Sequence, residues 1–344
     1  MYKHKFNIQH FATLNTQTTG ASGMSAEMKT YYVKDLLDNA KANLVHDQFG
    51  QKRALPKGNG KTIEWRRWST LPKALTALTE GVTPNGQTTG ATALTATIAQ
   101  YGGYIAESDM LELTAIDNVI LEDTKALGVQ AGTTIDTLIR NELCGGTNAI
   151  LAPKVTTSGT TAVTSRAGLD TTAKLTPDLV YQAVRTLKRK NVPKIGDSYV
   201  CIIHPDVAYD LMRSQEWIDW HKYAEPENLY NGEIGKLGGV RFVESTEAKI
   251  WNNETCPKPD SSKDVYLSVY ACLFLGADAY GVVDLEGGAL EHIVKQKGSG
   301  GTEDPLNQRS TVGWKVAFAA KRLAEERIVR VECCSSISAT STAN

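Results

Sequence analysis

The residues of this chain that could do chemistry are few, and each group has a simpler interpretation. Residues 58–62, GNGKT, end like a phosphate-binding loop, but Leu55 stands where that motif requires its first glycine. A strand pattern follows, whereas such a loop precedes a helix, so a turn is the better interpretation. Glu107 and Asp109 could form an acid–base pair, but acidic residues before a helix are explained by the helix dipole, and capping is the preferred interpretation.

Histidine and cysteine, which form many metal and nucleophile sites, are scattered along the chain. None of the six histidines belongs to an HExxH motif, and no G-x-S-x-G motif marks a serine nucleophile. The cysteines are irregularly spaced and several stand in apolar runs, so we expect buried free thiols at Cys144, Cys201, Cys256, Cys272, Cys333 and Cys334. The sequence predicts no catalytic residue, no metal site and no cofactor.

The most distinctive cluster of side chains is Trp65-Arg66-Arg67-Trp68. Tryptophan and arginine are enriched in the parts of protein–protein interfaces that contribute most binding energy. The same side chains could stack on single-stranded bases, but no further aromatic platform accompanies them and the net charge of the chain is −1. We therefore favour a protein partner for Trp65, Arg66, Arg67 and Trp68.

Composition excludes several classes of protein. The 344 residues suffice for a substantial core and, at roughly 150 residues per domain, suggest about two domains. The 37 basic and 38 acidic residues are mixed along the chain, so we expect any contact with nucleic acid to be weak and non-specific. The first residues lack the apolar stretch of a secretory signal, and no segment offers about 18 consecutive apolar residues, so we expect no membrane span and a protein made in a reducing cytoplasm.

The Trp-Arg cluster lies in a predicted two-stranded ribbon. Residues 1–30 are polar and predict an arm that orders only against a partner. Apolar positions with helical spacing predict an amphipathic helix within 31–50. Strand-like alternation then marks residues 61–68 and a second stretch that begins near Ala91.

The second half of the ribbon is unusual for a surface that faces water. Residues 81–106 contain no charged side chain in 26 positions. Two strands alone are marginally stable in water, and ordering each residue costs about 1–2 kcal/mol of backbone entropy. Contacts from outside the ribbon must therefore supply the missing stability.

The remaining sequence predicts an α+β fold. After Asp109, apolar positions from Ile116 onward predict a helix of about 28 residues that ends at Cys144. A second predicted helix has Thr176 as its N-cap and Pro177 in its first turn. Short strands, a short helix and a glycine-rich loop alternate over 196–290, which is typical of a mixed α/β domain. Strand periodicity returns near the C terminus. We expect these strands to rejoin the earlier domain, so that 196–290 is an insertion.

Four stretches together resemble the major capsid proteins of tailed double-stranded DNA bacteriophages, of the N-four type with the Hong Kong 97-type capsid fold. They are TATIAQYGGYIAESDML, HPDVAYDLMRSQEW, NGEIGKLGGVRFVES and DPLNQRSTVGWKVAFAAKRL, and the likeness extends over nearly the whole chain. The resemblance implies a subunit that assembles through hexamers and pentamers into an icosahedral shell around double-stranded phage DNA.

The resemblance also implies how the chain is divided. The expected parts are an N-terminal arm (1–30), an amphipathic helix (31–50), an extended loop (51–106), a peripheral domain with a long spine helix (107–195), an axial domain (196–290), and the C-terminal strands and tail of the peripheral domain (291–344). In such shells the extended loop lies across a neighbouring subunit, which would place the Trp-Arg cluster in that contact. The axial domain would meet its symmetry mates head to tail through residues that include Trp217, Trp220 and Lys236.

The partners implied are further copies of the chain, a separate scaffolding protein, a portal, packaged double-stranded DNA contacted without specificity and, as an open alternative, a decoration protein. The protein would reside in the virion capsid after assembly in the host cytoplasm, without a cofactor or a membrane. Two other classes remain open on the sequence alone. One is a cytoplasmic α/β enzyme with its site in 196–290, using His204 or Cys201. The other is a different virion component or a bacterial nanocompartment shell.

Overall fold

A computed structural model describes residues 36, 44–54, 60–69, 71–114, 119–156, 159–215, 217–218, 235–259, 265–283, 290–299 and 304–344. Of the helix predicted over 31–50, Leu36 is helical, residues 44–50 form turns, and the others lie outside the described residues. The prediction is wrong for 44–50 because Asp136 accepts hydrogen bonds from the backbone amides of Val45 (3.0 Å) and His46 (2.7 Å), which fixes them outside a helix.

The described residues include seventeen strands and four α-helices with defined bounds, besides the short 3-10 helices Arg166–Gly168 and Glu325–Arg327. The strands are β1 (Gln51–Arg53), β2 (Thr62–Trp68), β3 (Ala91–Thr97), β4 (Ala99–Ser108), β5 (Ala149–Leu151), β6 (Lys154–Thr156), β7 (Gly159–Thr161), β8 (Tyr199–Ile203), β9 (Lys236–Leu237), β10 (Val240–Glu244), β11 (Ile250–Trp251), β12 (Val269–Leu275), β13 (Tyr280–Val283), β14 (Leu290–Lys295), β15 (Arg309–Phe318), β16 (Ala320–Arg322) and β17 (Ile328–Cys333). The helices are α1 (Asp109–Thr114), α2 (Val119–Cys144), α3 (Pro177–Arg189) and α4 (Pro205–Met212).

The helices follow the signals in the sequence. The hydroxyl of Thr176 accepts a hydrogen bond from Leu179 N, and Pro177 opens α3, which confirms the predicted cap. The helix α2 ends at Cys144 as predicted, and its 26 residues span about 39 Å at 1.5 Å per residue. The short helix α1 precedes Ile116, the first apolar position of the predicted helix, and residues 115–118 between α1 and α2 lie outside the described residues.

A seven-stranded sheet is the centre of the fold, in the order β5-β17-β12-β8-β10-β9 with β11 beside β12. Alternate residues of its strands point to opposite faces. Cys201 and Cys272 belong to the core cluster that includes α3 and α4, whereas Ile202 and Leu273 belong to the cluster that includes α2. Both faces are covered, so β8 and β12 are buried along their whole length. All six cysteines are buried free thiols, as predicted.

The C-terminal strands divide between two sheets. The strand β15 pairs with β14 and, over ten residue pairs, with β4, and its buried residues Val312, Trp314 and Val316 face the α2 core. The strand β17 instead pairs with β12 over six residue pairs inside the seven-stranded sheet. On its other side β17 pairs in parallel with β5 over three residue pairs, so it rejoins the earlier part of the chain, as expected, and also adjoins a strand of the 196–290 segment.

Candidate functional site

The ribbon predicted from the sequence is present and extends from the body of the subunit. The strands β2 and β3 pair antiparallel over seven residue pairs, from Thr62 opposite Thr97 to Trp68 opposite Ala91. Beyond them Ser69 N donates to Gly90 O (2.8 Å) and Gly90 N donates to the Ser69 hydroxyl (3.0 Å), which closes the ribbon at its far end. The residues between Ser69 and Gly90 form a long loop without helix or strand in its described part.

The far part of the ribbon, residues 68–90, exposes large apolar side chains. The exposed fractions are 65% for Trp68, 47% for Leu71, 85% for Leu75, 77% for Leu78 and 63% for Val82. Only Lys73 and Glu80 carry charge in this segment. A stretch this apolar and this exposed is typical of a surface that another protein covers. We call these five side chains the apolar tip.

The base of the ribbon belongs to the core. Trp65 is 2% exposed and Ile63 is 3% exposed, and both lie in the cluster that includes α2. The indole of Trp65 lies against Gly281, where an added Cβ would stand 2.3 Å from Trp65 Nε1. The nearby strand β1 pairs in parallel with β13, which carries Gly281. The base is therefore fixed by packing within one subunit.

The structure thus separates the four residues of the Trp-Arg cluster. Trp65 faces the core of its own subunit and is not available to a neighbour. Arg67 forms an ion pair with Glu326, and Arg66 pairs with Glu64 at 2.9 Å while remaining exposed. Trp68 alone combines a large apolar surface with high exposure. Trp65 and Trp68 differ in exposure because side chains alternate along a strand, so that residues 65 and 67 share one face of β2 and residues 66 and 68 the other.

A buried cluster anchors the chain just before the ribbon. His46 and Asp136 have fully buried side chains, and His46 Nδ1 lies 2.6 Å from Asp136 Oδ2. The Tyr280 hydroxyl donates to the carbonyl of His46. Because Asp136 lies on α2 and Tyr280 on β13, this cluster joins the start of the ribbon to the longest helix. The sequence contained no local signal for it, since the partners are 90 positions apart.

The second predicted surface is described in part. Trp217 is 5% exposed and packs edge-on against Phe242, with ring centroids 5.7 Å apart, so most of its surface is covered within the subunit. Lys236 is exposed on β9, at the edge of the seven-stranded sheet. Trp220 lies outside the described residues. Lys236 and Trp68 stand on strands of different sheets.

The residues considered for an enzyme have structural roles. Complete burial raises the pKa of the Cys201 thiol well above its ordinary value. His204 precedes α4, and its Nδ1 accepts a hydrogen bond from Asp206 N at 3.2 Å, while partial burial lowers its pKa. Among the described residues no three His, Cys, Asp or Glu side chains are arranged to hold a metal ion. No helix in the same residues has the length and apolar character needed to cross a membrane.

The polar C-terminal tail, residues 335–344, packs against the subunit. We call it the C-terminal strap. Asp210 accepts hydrogen bonds from the Ser335 hydroxyl (2.8 Å) and from Ser336 N (2.7 Å), and Ser335 is fully buried. At the other end the side chain of Asn344 accepts from Ile250 N (3.0 Å) and donates to the carbonyl of residue 248 (2.8 Å). Sequence reasoning missed this contact because serine-rich composition predicts a solvated tail.

Comparisons with known proteins identify the family and the fold. A family model described as "Phage capsid protein" matches residues 74–331. No curated protein sequence is significantly similar to the chain. Solved structures with a similar fold include the capsid of the cyanophage P-SCSP1u, at 15% identity over 85% of this chain and 89% of that chain with a TM-score of 0.62. The capsid of Ralstonia phage GP4 has 14% identity, coverage of 85% and 88%, and a TM-score of 0.63. The cyanophage Pam1 capsid has 13% identity, coverage of 89% and 93%, and a TM-score of 0.58.

Proposed function

The chain belongs to the phage capsid protein family and is a structural shell protein with a Hong Kong 97-like α+β fold, and from this premise we propose that it assembles through hexamers and pentamers into an icosahedral shell around double-stranded phage DNA. Self-assembly with other copies follows from the family, and the protein resides in the virion capsid. The route through hexamers and pentamers and the enclosure of DNA are the parts that we add.

The apolar tip is the observation that carries this proposal. Five large apolar side chains, from 47% to 85% exposed, stand on a ribbon whose base is fixed by Trp65 and by the His46–Asp136 cluster. A rigid base with an apolar end is suited to reach a second subunit and to be covered by it. We propose that Trp68 and Arg66 make this contact, while Trp65 and Arg67 hold the ribbon in place.

The division into arm (1–30), helix (31–50), extended loop (51–106), peripheral domain (107–195 and 291–344) and axial domain (196–290) is part of the proposal. Two observations support it and refine it. The pairing of β4 with β15 ends the free part of the ribbon near residue 98. The strand β17 pairs with β5 of the 107–195 segment on one side and with β12 of the 196–290 segment on the other, so the two proposed domains would share one sheet.

We further propose a separate scaffolding protein and a portal as assembly partners, a decoration protein as a partner of the finished shell, and assembly in the host cytoplasm. Packaged DNA would be contacted without sequence specificity, since the chain has a net charge of −1.

The test is to express the full chain alone and with a candidate scaffolding protein, and to examine both preparations by electron microscopy and sedimentation. We expect hollow particles, or hexamers and pentamers that grow into them. A stable 37.4 kDa monomer under both conditions would contradict the proposal. The variant L75S/L78S should reduce particle formation, whereas L306S, which changes a loop leucine of 75% exposure outside the ribbon, should leave it unchanged.

A further inference from the structure

The C-terminal end of α3 concentrates positive charge. Residues 179–196 contain five basic side chains and no acidic one, although the whole chain has 37 basic and 38 acidic residues. The five are all exposed, and we call them the basic face: Arg185, Lys188, Arg189, Lys190 and Lys194. Three of them, Arg185, Lys188 and Arg189, stand three or four positions apart and are therefore neighbours on one side of the helix.

No ion pair among the described residues neutralises the basic face. Lys174, which precedes α3, shows the contrast, because its ammonium group pairs with a carboxylate oxygen of Asp210 at 3.1 Å. The dipole of α3 favours cations in its last turn, which accounts for Lys188 and Arg189. The dipole does not account for the unpaired cations outside that turn. Neighbouring like charges repel one another, so an anionic partner would stabilise the set as a whole.

A groove lies beside the basic face. It has a volume of about 760 Å³, and its lining consists of Tyr181, Val184, Arg185, Lys188, Arg189 and Gly238. Gly238 belongs to the turn between β9 and β10. A Cβ at this glycine would stand 2.7 Å from the ring of Tyr181, so the wall opposite the helix is bare backbone. The groove therefore has cations on its helical side and no side chain on the other.

The lining of the groove favours a phosphate chain over a protein segment. Val184 is 3% exposed and Tyr181 is 37% exposed, so the groove offers a single aromatic ring as an anchor. Protein–protein interfaces take most of their binding energy from several apolar and aromatic anchors. Contact with a nucleic-acid backbone depends on cations placed beside the phosphates, which the basic face supplies.

We propose that the basic face and its groove bind the phosphate backbone of double-stranded DNA, so that the α3 side of the subunit borders the interior of the shell. The inference rests on the proposed function, because it needs a shell that encloses DNA. Phosphate contacts carry no sequence information, so the binding is independent of sequence. Five cations allow about five phosphate contacts per subunit, and each contact steepens the dependence of log K on log salt concentration by about 0.9.

The test measures how salt weakens the binding of DNA to the unassembled full chain. The probe is a random-sequence duplex of about 30 base pairs, and fluorescence anisotropy gives its affinity between about 50 and 200 mM NaCl. Five contacts predict that the affinity of the unaltered chain falls about 500-fold over this range. The variant R185Q/K188Q/R189Q keeps two contacts, so its affinity should fall only about 12-fold.

Two control variants separate charge from position and from folding. R185K/K188R/R189K keeps the three charges and should keep the steep salt dependence of the unaltered chain. K295Q/K297Q/K315Q removes three cations from the sheet β14-β15-β4 and the loop after β14, and it should also keep that salt dependence. All three variants should form shells in electron microscopy as the unaltered chain does, which shows that they fold.

An equal salt dependence of R185Q/K188Q/R189Q and the unaltered chain would overturn the inference. Loss of shells in this variant with unchanged binding of the duplex would also overturn it, and would assign the basic face to an acidic protein partner. Shells from the unaltered chain without salt-dependent binding of the duplex would overturn this inference alone. An unaltered chain that forms no particles would overturn the proposed function and, with it, the place of the basic face inside a shell.

Discussion

The two tryptophans of β2 test whether different residues stabilise the folded subunit and the contact between subunits. Trp65 is 2% exposed and Trp68 is 65% exposed, although only three positions separate them. Replacing Trp65 with alanine removes a large buried side chain beside Gly281 and leaves a cavity, which should lower the free energy of unfolding by about 3–5 kcal/mol. Replacing Trp68 removes mostly exposed surface, and we expect a change within about 0.5 kcal/mol.

The order of effects should reverse for assembly. If Trp68 lies in the contact with a neighbour, its loss removes one contact on each subunit, and a central tryptophan contributes about 2 kcal/mol or more. Because 1.4 kcal/mol corresponds to a factor of ten, the subunit concentration at half-assembly should rise by about 30-fold. Trp65→Ala should reduce assembly only to the extent that it unfolds the subunit.

Urea unfolding of the unassembled chain, followed by far-ultraviolet circular dichroism, measures the first quantity, and light scattering over a concentration series measures the second. The assignment of Trp65 to folding and of Trp68 to assembly is refuted if Trp68→Ala forms shells at the same concentration as the unaltered chain. It is also refuted if Trp65→Ala unfolds at the same urea concentration as the unaltered chain.

Three further outcomes follow from buried groups. Asp136→Ala removes the carboxylate that accepts three hydrogen bonds from Val45 and His46, so urea unfolding should show a free energy of unfolding lower by about 3–5 kcal/mol. A loss below about 1 kcal/mol would contradict the role of Asp136 in anchoring the start of the ribbon. Burial raises the pKa of Cys144 to about 11 and that of Cys334 to about 12, so a thiol reagent at pH 8 should label no cysteine before unfolding and all six after it. Burial opposes ionisation of Asp210, but hydrogen bonds from the strap and from Lys174 outweigh it and hold its pKa below the ordinary value. The ionised Asp210 carboxylate therefore contributes its full stabilisation above about pH 3.9, and this contribution is lost as the pH falls through the lower pKa of the folded state. The difference in free energy of unfolding between the unaltered chain and Asp210→Asn should therefore shrink in acid.

The sequence predicted what local patterns control. The cap at Thr176, the end of α2 at Cys144 and the pairing of residues 62–68 with the strand from Ala91 each depend on residues a few positions apart or on simple alternation. The lack of charge over 81–106 predicts a ribbon that needs a partner, and this stays a prediction; most of the apolar tip lies before that stretch, over 68–78.

The features that the sequence missed depend on residues far apart. Nothing near His46 indicates Asp136, and nothing near Ser335 indicates Asp210, because each contact forms only after separate elements have packed. Trp65 was assigned to an interface by residue type alone. Strand alternation could have separated it from Trp68 only if the buried face had been known, and that face is defined by Gly281, more than 200 positions away.

The distribution of burial also explains why such a subunit can be stable and still assemble. Its two core clusters lie on opposite faces of the seven-stranded sheet and hold α2, α3 and α4, so the stability of the body does not require a neighbour. The apolar tip contributes little to that core, and in the proposed contact its exposed side chains would lose contact with water only when another copy covers them. Under this proposal folding and assembly depend on different residues. A substitution at the tip can weaken the shell without unfolding the subunit, whereas one at the ribbon base affects both.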